Sequence, residues 1–212
     1  MLFGTSKRLK TTSSSIDLFF ENIPINKTTS YKYLGTMLDQ SLLLNEQFDT
    51  MYKKASNRLR LLSKLRYYLT PKATKCVYQS LIQPILRYNC LSFLSLSKTR
   101  ESRLKSLDCR VNNMIPDIKS STVDMFRKHG VRMVHKCLTG DVCPAFVNYF
   151  NWNRHSKETR NRNLLLKVPN VKLEFAKTGF YFQGVRLFNS LPINVRKSGS
   201  DFSSRLDDIC LA

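Results

Sequence analysis

The sequence has few acidic residues and lacks the motifs of several common enzyme classes. Only 15 Asp and Glu accompany 35 Lys and Arg among its 212 residues, which gives a formal net charge of +20. It contains no P-loop, no Gly-x-Ser-x-Gly turn and no C-x-x-C pair. No apolar run approaches the ~20 residues of a membrane-spanning helix, and the N-terminus shows no signal-peptide pattern. We therefore expect an intracellular protein, in nucleus or cytoplasm, with no membrane span, no cofactor and no small-molecule substrate.

The positive charge, together with a sizeable apolar fraction, favours a folded protein that binds a polyanion. Apolar residues make up 42% of the chain and aromatic residues 11%, which is enough to build a core. A charge of this size exceeds what solubility needs and causes self-repulsion unless an anion is bound. Nucleic acid is the partner that this balance favours, and an anionic membrane surface is the alternative.

Cysteine and histidine residues are the candidate metal ligands. Zinc needs three or four converging ligands. His135, Cys137 and Cys143 could supply three of them, but His129 would have to be the fourth, without a standard spacing. We therefore predict no metal site. Most of the six cysteines lie within apolar helical patterns, which predicts reduced thiols in the core; they are Cys76, Cys90, Cys109, Cys137, Cys143 and Cys210.

Residues 1–40 carry the clearest strand signals. Aromatic and β-branched residues run from Tyr31 through Gly35 to Asp39, which predicts a strand bent at the glycine. Upstream, we expect a strand stub at residues 1–3 and a polar loop at residues 6–15. Apolar residues then alternate on both sides of a predicted turn at Glu21-Asn22; they are Ile16, Leu18, Phe20, Ile23 and Ile25.

A long basic helix is predicted from Asn45 to Leu69. Its apolar face recurs at helical spacing and consists of Phe48, Met51, Ala55, Leu59, Leu62 and Leu69. Lys53, Arg60 and Lys64 line the opposite face. Residues 50–100 contain eleven Lys or Arg and no Asp or Glu, whereas a merely solvated surface mixes signs to gain i,i+4 pairs. This pattern favours nucleic-acid contact over simple solvation, and the candidate residues are Lys53, Lys54, Arg58, Arg60, Lys64 and Arg66.

Two further helices complete a predicted three-helix bundle. Thr70-Pro71 is an N-cap followed by proline at the first helical position. The residues after it are apolar nearly all round, which predicts a buried central helix kinked at Pro84. Ser97 is expected to cap a third helix, and short links predict antiparallel packing. The apolar face of that helix consists of Leu104, Leu107, Val111 and Met114.

The region after Pro116 predicts smaller elements. We expect two short helices broken at Gly130, a loop at residues 140–144, a short helix at residues 145–150 and an exposed linker at residues 151–163. Two strands are predicted between Leu164 and Glu174, followed by an aromatic-rich segment and a last helix that begins at Phe202. The predicted fold class is therefore α+β, mainly α, with an N-terminal β-hairpin unit, a three-helix bundle and a small α+β C-terminal extension.

Several segments, taken in order, resemble the C-terminal part of the reverse transcriptase of LINE-type (non-LTR) retrotransposons. Lys32-Tyr33-Leu34-Gly35 resembles the primer-grip block, and residues 1–3 resemble the end of the block before it, without its Lys-Thr pair. Residues 82–86 followed by Tyr88 resemble a proline step of the thumb. Residues 140–144 resemble the family's G-x-x-P but are one residue longer. Residues 188–192, followed by Arg196, resemble its terminal WN-x-LP signature, with Phe in place of Trp.

This resemblance implies a palm remnant with a primer-grip-like hairpin at residues 1–40, a helical thumb-like domain at 41–116 and an extension at 117–212. The hairpin would lie against a primer terminus, and the thumb would hold an RNA–DNA duplex. The chain would be truncated at its N-terminus. The primer-grip-like residues would be Tyr31, Lys32, Tyr33, Leu34 and Gly35.

The carboxylates that nucleotidyl transfer requires are missing from the sequence. The reaction needs Asp residues that hold Mg²⁺ against the phosphates, one of them in an aromatic-x-Asp-Asp turn. Asp207-Asp208 is the only Asp pair, and it follows no strand signal, so we predict that it is a solvated helix end. No catalytic residue is assigned, and we expect the chain alone to be inactive as a polymerase.

Two other hypotheses fit part of the sequence. A basic helical RNA- or DNA-binding module unrelated to polymerases would show the same charge. An enzyme using His129 and His135 would need a partner carboxylate at helical spacing, which the sequence does not supply.

Overall fold

The chain is mainly helical, with two small β-hairpins near its N-terminus. The structure is a computed structural model that describes residues 1–12, 17–119, 121–153, 165–199 and 201–211. The chain forms two compact units, Met1–Arg60 and Leu61–Ala212. The predicted α+β, mainly α, class is confirmed, and the predicted domain limits at residues 40 and 116 stay predictions.

The first unit begins with a helix that the sequence did not predict. Residues 1–5 contain no strand, and α1 spans Ser6–Thr12 where a loop was expected. Lys, Arg and Leu are good helix formers, and the Thr5 hydroxyl accepts a hydrogen bond from the backbone N–H of Arg8 at 3.5 Å. The predicted strand stub is therefore wrong, and the predicted loop is wrong for residues 6–12; residues 13–15 lie outside the described part.

Two antiparallel hairpins follow in the same unit. Strands β1 (Phe19–Phe20) and β2 (Ile23–Pro24) pair across the predicted turn, although Ile16 lies outside the described residues. Strands β3 (Ser30–Tyr33) and β4 (Thr36–Asp39) pair with Tyr31 opposite Leu38. Leu34 and Gly35 form the turn between β3 and β4 with φ of 46° and 82°, as two-residue hairpin turns require. Gly35 therefore reverses the chain instead of bending one continuous strand.

Helix α2 spans Asn45–Leu65 and continues into a 3₁₀ turn, Arg66–Tyr68. The regular helix thus ends four residues before the predicted Leu69. The predicted apolar face is buried except at Leu69, which is half-buried. Its buried members are Phe48, Met51, Ala55, Leu59 and Leu62.

The next helical stretch is only partly as predicted. Helix α3 spans Pro71–Val77, and the Thr70 hydroxyl caps it by accepting from the N–H of Ala73 at 3.2 Å. A π-helical turn, Tyr78–Ile82, leads into α4, Gln83–Arg87. This irregularity ends two residues before Pro84, whose missing N–H excludes a regular helical hydrogen bond. The stretch is not buried all round, because Leu81 is 52% exposed and Tyr88 50%.

Helix α6, not α3–α4, lies at the centre of the second unit. A 3₁₀ turn (Cys90–Phe93) precedes α5 (Lys98–Met114), which Ser97 caps as predicted. Helix α6 spans Thr122–Thr139 without interruption and contacts α4, α5 and two of the later helices. The predicted break at Gly130 is wrong, because α6 continues through this residue. The glycine is buried, and a Cβ there would lie 2.8 Å from Leu94 Cδ2.

The C-terminal region packs short helices against α6. Gly140 ends α6 with φ of 83°, and residues 144–146 form a 3₁₀ turn where a helix was expected. The predicted strands at 164–174 are wrong for the described residues 165–174, where only Leu166 makes a bridge, to Trp152. Most of the predicted linker, residues 154–163, lies outside the described part. The remaining helices are α7 (Glu174–Thr178), α8 (Phe180–Ser190), α9 (Ile193–Arg196) and α10 (Phe202–Asp207).

The core of the second unit is aromatic and aliphatic. All six cysteines are free thiols, but only Cys90 and Cys137 are buried, so the prediction of core thiols is wrong for the other four. A contiguous buried cluster includes Val131, Val134, Cys137, Phe150, Leu166, Val185, Phe188, Leu191, Val195, Phe202, Leu206 and Leu211.

Candidate nucleic-acid interface

The cations of α2 form the main candidate surface. Lys53, Arg60 and Lys64 are exposed and fall within an arc of about 40° around a helix of 3.6 residues per turn. Their spacing of seven and four residues places them about 10 Å and about 6 Å apart along the axis. Because the buried face lies opposite, these three side chains extend into solvent, as predicted.

The other three candidates lie elsewhere on the same element. Lys54 and Arg58 are exposed but are rotated by about 100–140° from Lys53, given about 100° per helical residue. Arg66 lies beyond the last regular turn of α2, in the 3₁₀ segment. The six candidates are thus all accessible, but only Lys53, Arg60 and Lys64 share one line; we call these three the basic row.

Acidic residues are scarce in the sequence around the basic row. Among the described residues, neither Lys53 nor Lys64 forms a salt bridge, whereas Lys105 pairs with Glu101 and Lys128 with Asp124 elsewhere. No acidic residue occurs between positions 50 and 100. Like charges at this spacing repel one another, so an anion such as a phosphate group would relieve the repulsion.

The hairpin β3–β4 presents the primer-grip-like residues to solvent. Tyr31, Lys32, Tyr33, Leu34 and Gly35 are all exposed, and alternation along β3 puts the two tyrosines on one face and Lys32 on the other. The side-chain amide oxygen of Gln47, Oε1, accepts from the Met37 N–H at 3.0 Å. An Asp39 carboxylate oxygen accepts from the Leu44 N–H, also at 3.0 Å. These bonds position the hairpin against the first turn of α2.

Two exposed tyrosines next to Arg66 were missed by the sequence analysis. Tyr67 and Tyr68 are 77% and 89% exposed. The Arg66 guanidinium donates to the Tyr67 hydroxyl at 3.2 Å and lies 5.0 Å from its ring centroid. This hydrogen bond, followed by the Arg66 charge, lowers the pKa of Tyr67. A helical wheel extended from Lys53 would have placed Tyr67 beside the basic row, and that signal could have found it.

A second group of cations lines a cleft of about 380 Å³ in the second unit. Arg87, Arg132 and Lys136 are its cations, Asn89 and His129 also line it, and Arg132 is paired with Asp207. Burial lowers the pKa of His129, and the charges of Arg87 and Arg132 lower it further. The cleft can attract an anion, although sequence periodicity gave no sign that α4 and α6 would meet there.

The histidine-based alternatives find no support in the site geometry. His135 stacks on Phe202 with ring centroids 4.0 Å apart, and burial lowers its pKa. Within the described ranges, no carboxylate hydrogen-bonds to His129 or His135, and no three His, Cys, Asp or Glu side chains converge as metal ligands would. Asp207 is held by Arg132, and Asp208 is exposed just after the end of α10.

No family model, curated protein or solved structure matches the chain. Across the described residues, every helix is too short or too polar to cross a bilayer.

Proposed function

We propose that this protein binds nucleic acid through the phosphate backbone, and that it is related to the thumb and downstream region of LINE-type reverse transcriptases. The observation that carries the proposal is the basic row Lys53, Arg60 and Lys64, exposed on one face of α2 within fifty-one residues that contain no acid. Phosphate contacts of this kind position a duplex without identifying its sequence. Such a protein would act inside the cell, in nucleus or cytoplasm.

The proposal assigns no chemical step to this chain. Transfer of a nucleotide requires carboxylates that clamp Mg²⁺, and the Asp207-Asp208 pair has one member bound to an arginine. The chain would therefore contribute duplex binding, and the exposed hairpin β3–β4 would lie against the primer terminus as the resemblance implies.

Salt dependence tests the basic row directly. The variant Lys53→Gln/Arg60→Gln/Lys64→Gln is compared with wild type on an RNA–DNA hybrid between about 50 and 200 mM salt. Each lost phosphate contact should reduce the slope of log affinity against log salt by roughly 0.9. Affinity should fall about equally for unrelated sequences, because phosphates carry no base identity.

A matched variant controls for net charge. Lys119→Gln/Lys172→Gln/Lys197→Gln removes three exposed cations from other parts of the chain and should keep a slope close to that of wild type. A wild-type slope in the α2 variant would show that the basic row is only solvated, and so would an equal decrease of the slope in the control variant.

The alternative function, a basic helical RNA- or DNA-binding module unrelated to polymerases, shares the basic row and differs at the hairpin. This alternative is favoured by the exposed cations on both sides of α2, because such cations can bind a phosphate backbone without a primer terminus. Tyr31→Ala/Tyr33→Ala separates the two: a polymerase relative should lose preference for a recessed primer end over a blunt duplex, whereas a general module should show no such preference.

A further inference from the structure

Tyr67 and Tyr68 project from a turn that helices hold on both sides. The 3₁₀ turn Arg66–Tyr68 joins α2 to α3 and contains no buried residue. The Leu69 N–H donates to the Arg66 carbonyl at 3.3 Å, and Thr70 caps the following helix. The two rings are therefore placed by ordered backbone, although 77% of Tyr67 and 89% of Tyr68 remain in solvent.

Exposure of this extent means that the two rings contribute little to the core. A tyrosine that stabilises a fold normally buries its ring and leaves only the hydroxyl in contact with polar partners. Here a planar guanidinium already lies over the Tyr67 ring, 5.0 Å from the centroid, which shows that a flat group can reach its face. An unpaired nucleobase is a flat group of the same kind.

Cations flank the two tyrosines in the sequence. Lys64, Arg66 and Lys72 lie within five residues of them in sequence and are all exposed. Proteins that bind single-stranded nucleic acid combine such cations, which follow the backbone, with aromatic side chains on which bases stack. A base inside a duplex is already stacked on both sides, so only an unpaired or terminal base can use this surface.

We propose that Tyr67 and Tyr68 form a stacking platform for unpaired bases of single-stranded RNA or DNA, with Lys64, Arg66 and Lys72 contacting the flanking phosphates. This inference rests on the proposed function and adds a ligand class to it. Binding here is tolerant of sequence, because every base has an aromatic face.

The test separates bases from phosphates. One ligand is a single-stranded oligonucleotide, and the other is an abasic strand with the same number of phosphates. Wild type should bind the base-bearing strand roughly tenfold or more tightly, since each base stacked on an aromatic side chain contributes an effect of about that size. Tyr67→Ala/Tyr68→Ala should remove this difference, while Tyr67→Phe/Tyr68→Phe, which keeps both rings, should retain it.

The salt slope distinguishes failure of this inference from failure of the proposed function. The slope of log affinity against log salt should be unchanged in both tyrosine variants, because neither ring contacts a phosphate. Thermal midpoints should also match wild type, since the rings are exposed. Equal affinity of wild type for the two strands, including no measurable binding of either, would overturn the platform, and so would a base-dependent gain that survives the double alanine change. A protein-binding role for the tyrosines is the remaining explanation in that case.

Discussion

The side chain of Asn189 makes the two backbone hydrogen bonds that a neighbouring strand would make in a sheet. Its amide oxygen accepts from the Leu166 N–H at 2.9 Å, and its amide nitrogen donates to the Leu166 carbonyl, also at 2.9 Å. The other edge of this segment pairs with residues 151 and 153 through backbone hydrogen bonds. Leu166 is 1% exposed, so both of its backbone groups need partners. Asn189 supplies them from α8.

This arrangement predicts that Asn189 is important for stability. Asn189→Ala should lower the free energy of unfolding by about 2 kcal/mol, because a buried donor and acceptor lose their partners. Asn189→Asp should also destabilise at neutral pH, since a carboxylate accepts from the Leu166 N–H but cannot donate to the carbonyl. Urea unfolding measures both changes, and Asn170→Ala, in an exposed loop, is the control. An Asn189→Ala variant as stable as wild type would contradict this role.

The aromatic-Asn-x-Leu-Pro signature was visible in the sequence, but its physical purpose was not. Phe188 and Leu191 are buried in the core cluster. The partner of Asn189 lies 23 residues earlier, beyond the reach of local patterns. The strands predicted near Leu166 were wrong for the same reason. On that edge the Asn189 side chain bonds to Leu166, where a second strand was expected.

At the scale of elements, Gly130 shows how packing overrides propensity. Glycine is a poor helix former, yet α6 continues through Gly130. A glycine is needed there because Leu94 occupies the space where a side chain would be. The Leu94 methyl groups lie 2.8 and 2.9 Å from the position of a Cβ at residue 130. Gly184 in α8 shows the same relation to Val134. Two small residues therefore allow α6 to pack closely against its neighbours.

Gly130→Ala should consequently destabilise the protein by on the order of 1 kcal/mol. The gain in helix propensity is about 1 kcal/mol, and overpacking in a dense core costs about 1–3 kcal/mol. Leu94→Ala should also destabilise, through a cavity. The double variant should lose less than the sum of the two, because the smaller side chain accepts the new methyl group. Chemical unfolding of all four proteins gives the coupling, and an additive result would argue against the contact.

Elements with a local signal were predicted well, and those set by distant contacts were not. Thr70 and Ser97 cap their helices as expected, and the apolar face of α2 is buried. Two helices were predicted in place of α6, because no local pattern around Gly130 indicates why a glycine lies inside a helix. The candidate cations of α2 followed from periodicity and sign, whereas the cleft near His129 required the meeting of α4 and α6, which no local pattern encodes.

For the whole molecule, charge sets two opposing responses to salt. The net charge of +20 repels itself in the free protein, and this repulsion is screened as the Debye length falls to about 10 Å at 0.1 M salt. Surface ion pairs such as Lys27–Asp17 at 3.0 Å weaken over the same range, but each contributes little. With 35 basic and 15 acidic residues, the loss of repulsion should dominate.

The free protein should therefore become more stable while its complexes become weaker. We expect the thermal midpoint to rise between about 10 and 200 mM NaCl, a range in which screening grows strongly, while affinity for an RNA–DNA hybrid falls. At the lowest salt, saturating hybrid should raise the midpoint by mass action. The Lys53→Gln/Arg60→Gln/Lys64→Gln variant should show a smaller salt effect on stability and a smaller shift with hybrid. A midpoint of the free protein that falls with added NaCl would mean that paired charges outweigh the surplus, and the surplus would then no longer argue for a bound polyanion.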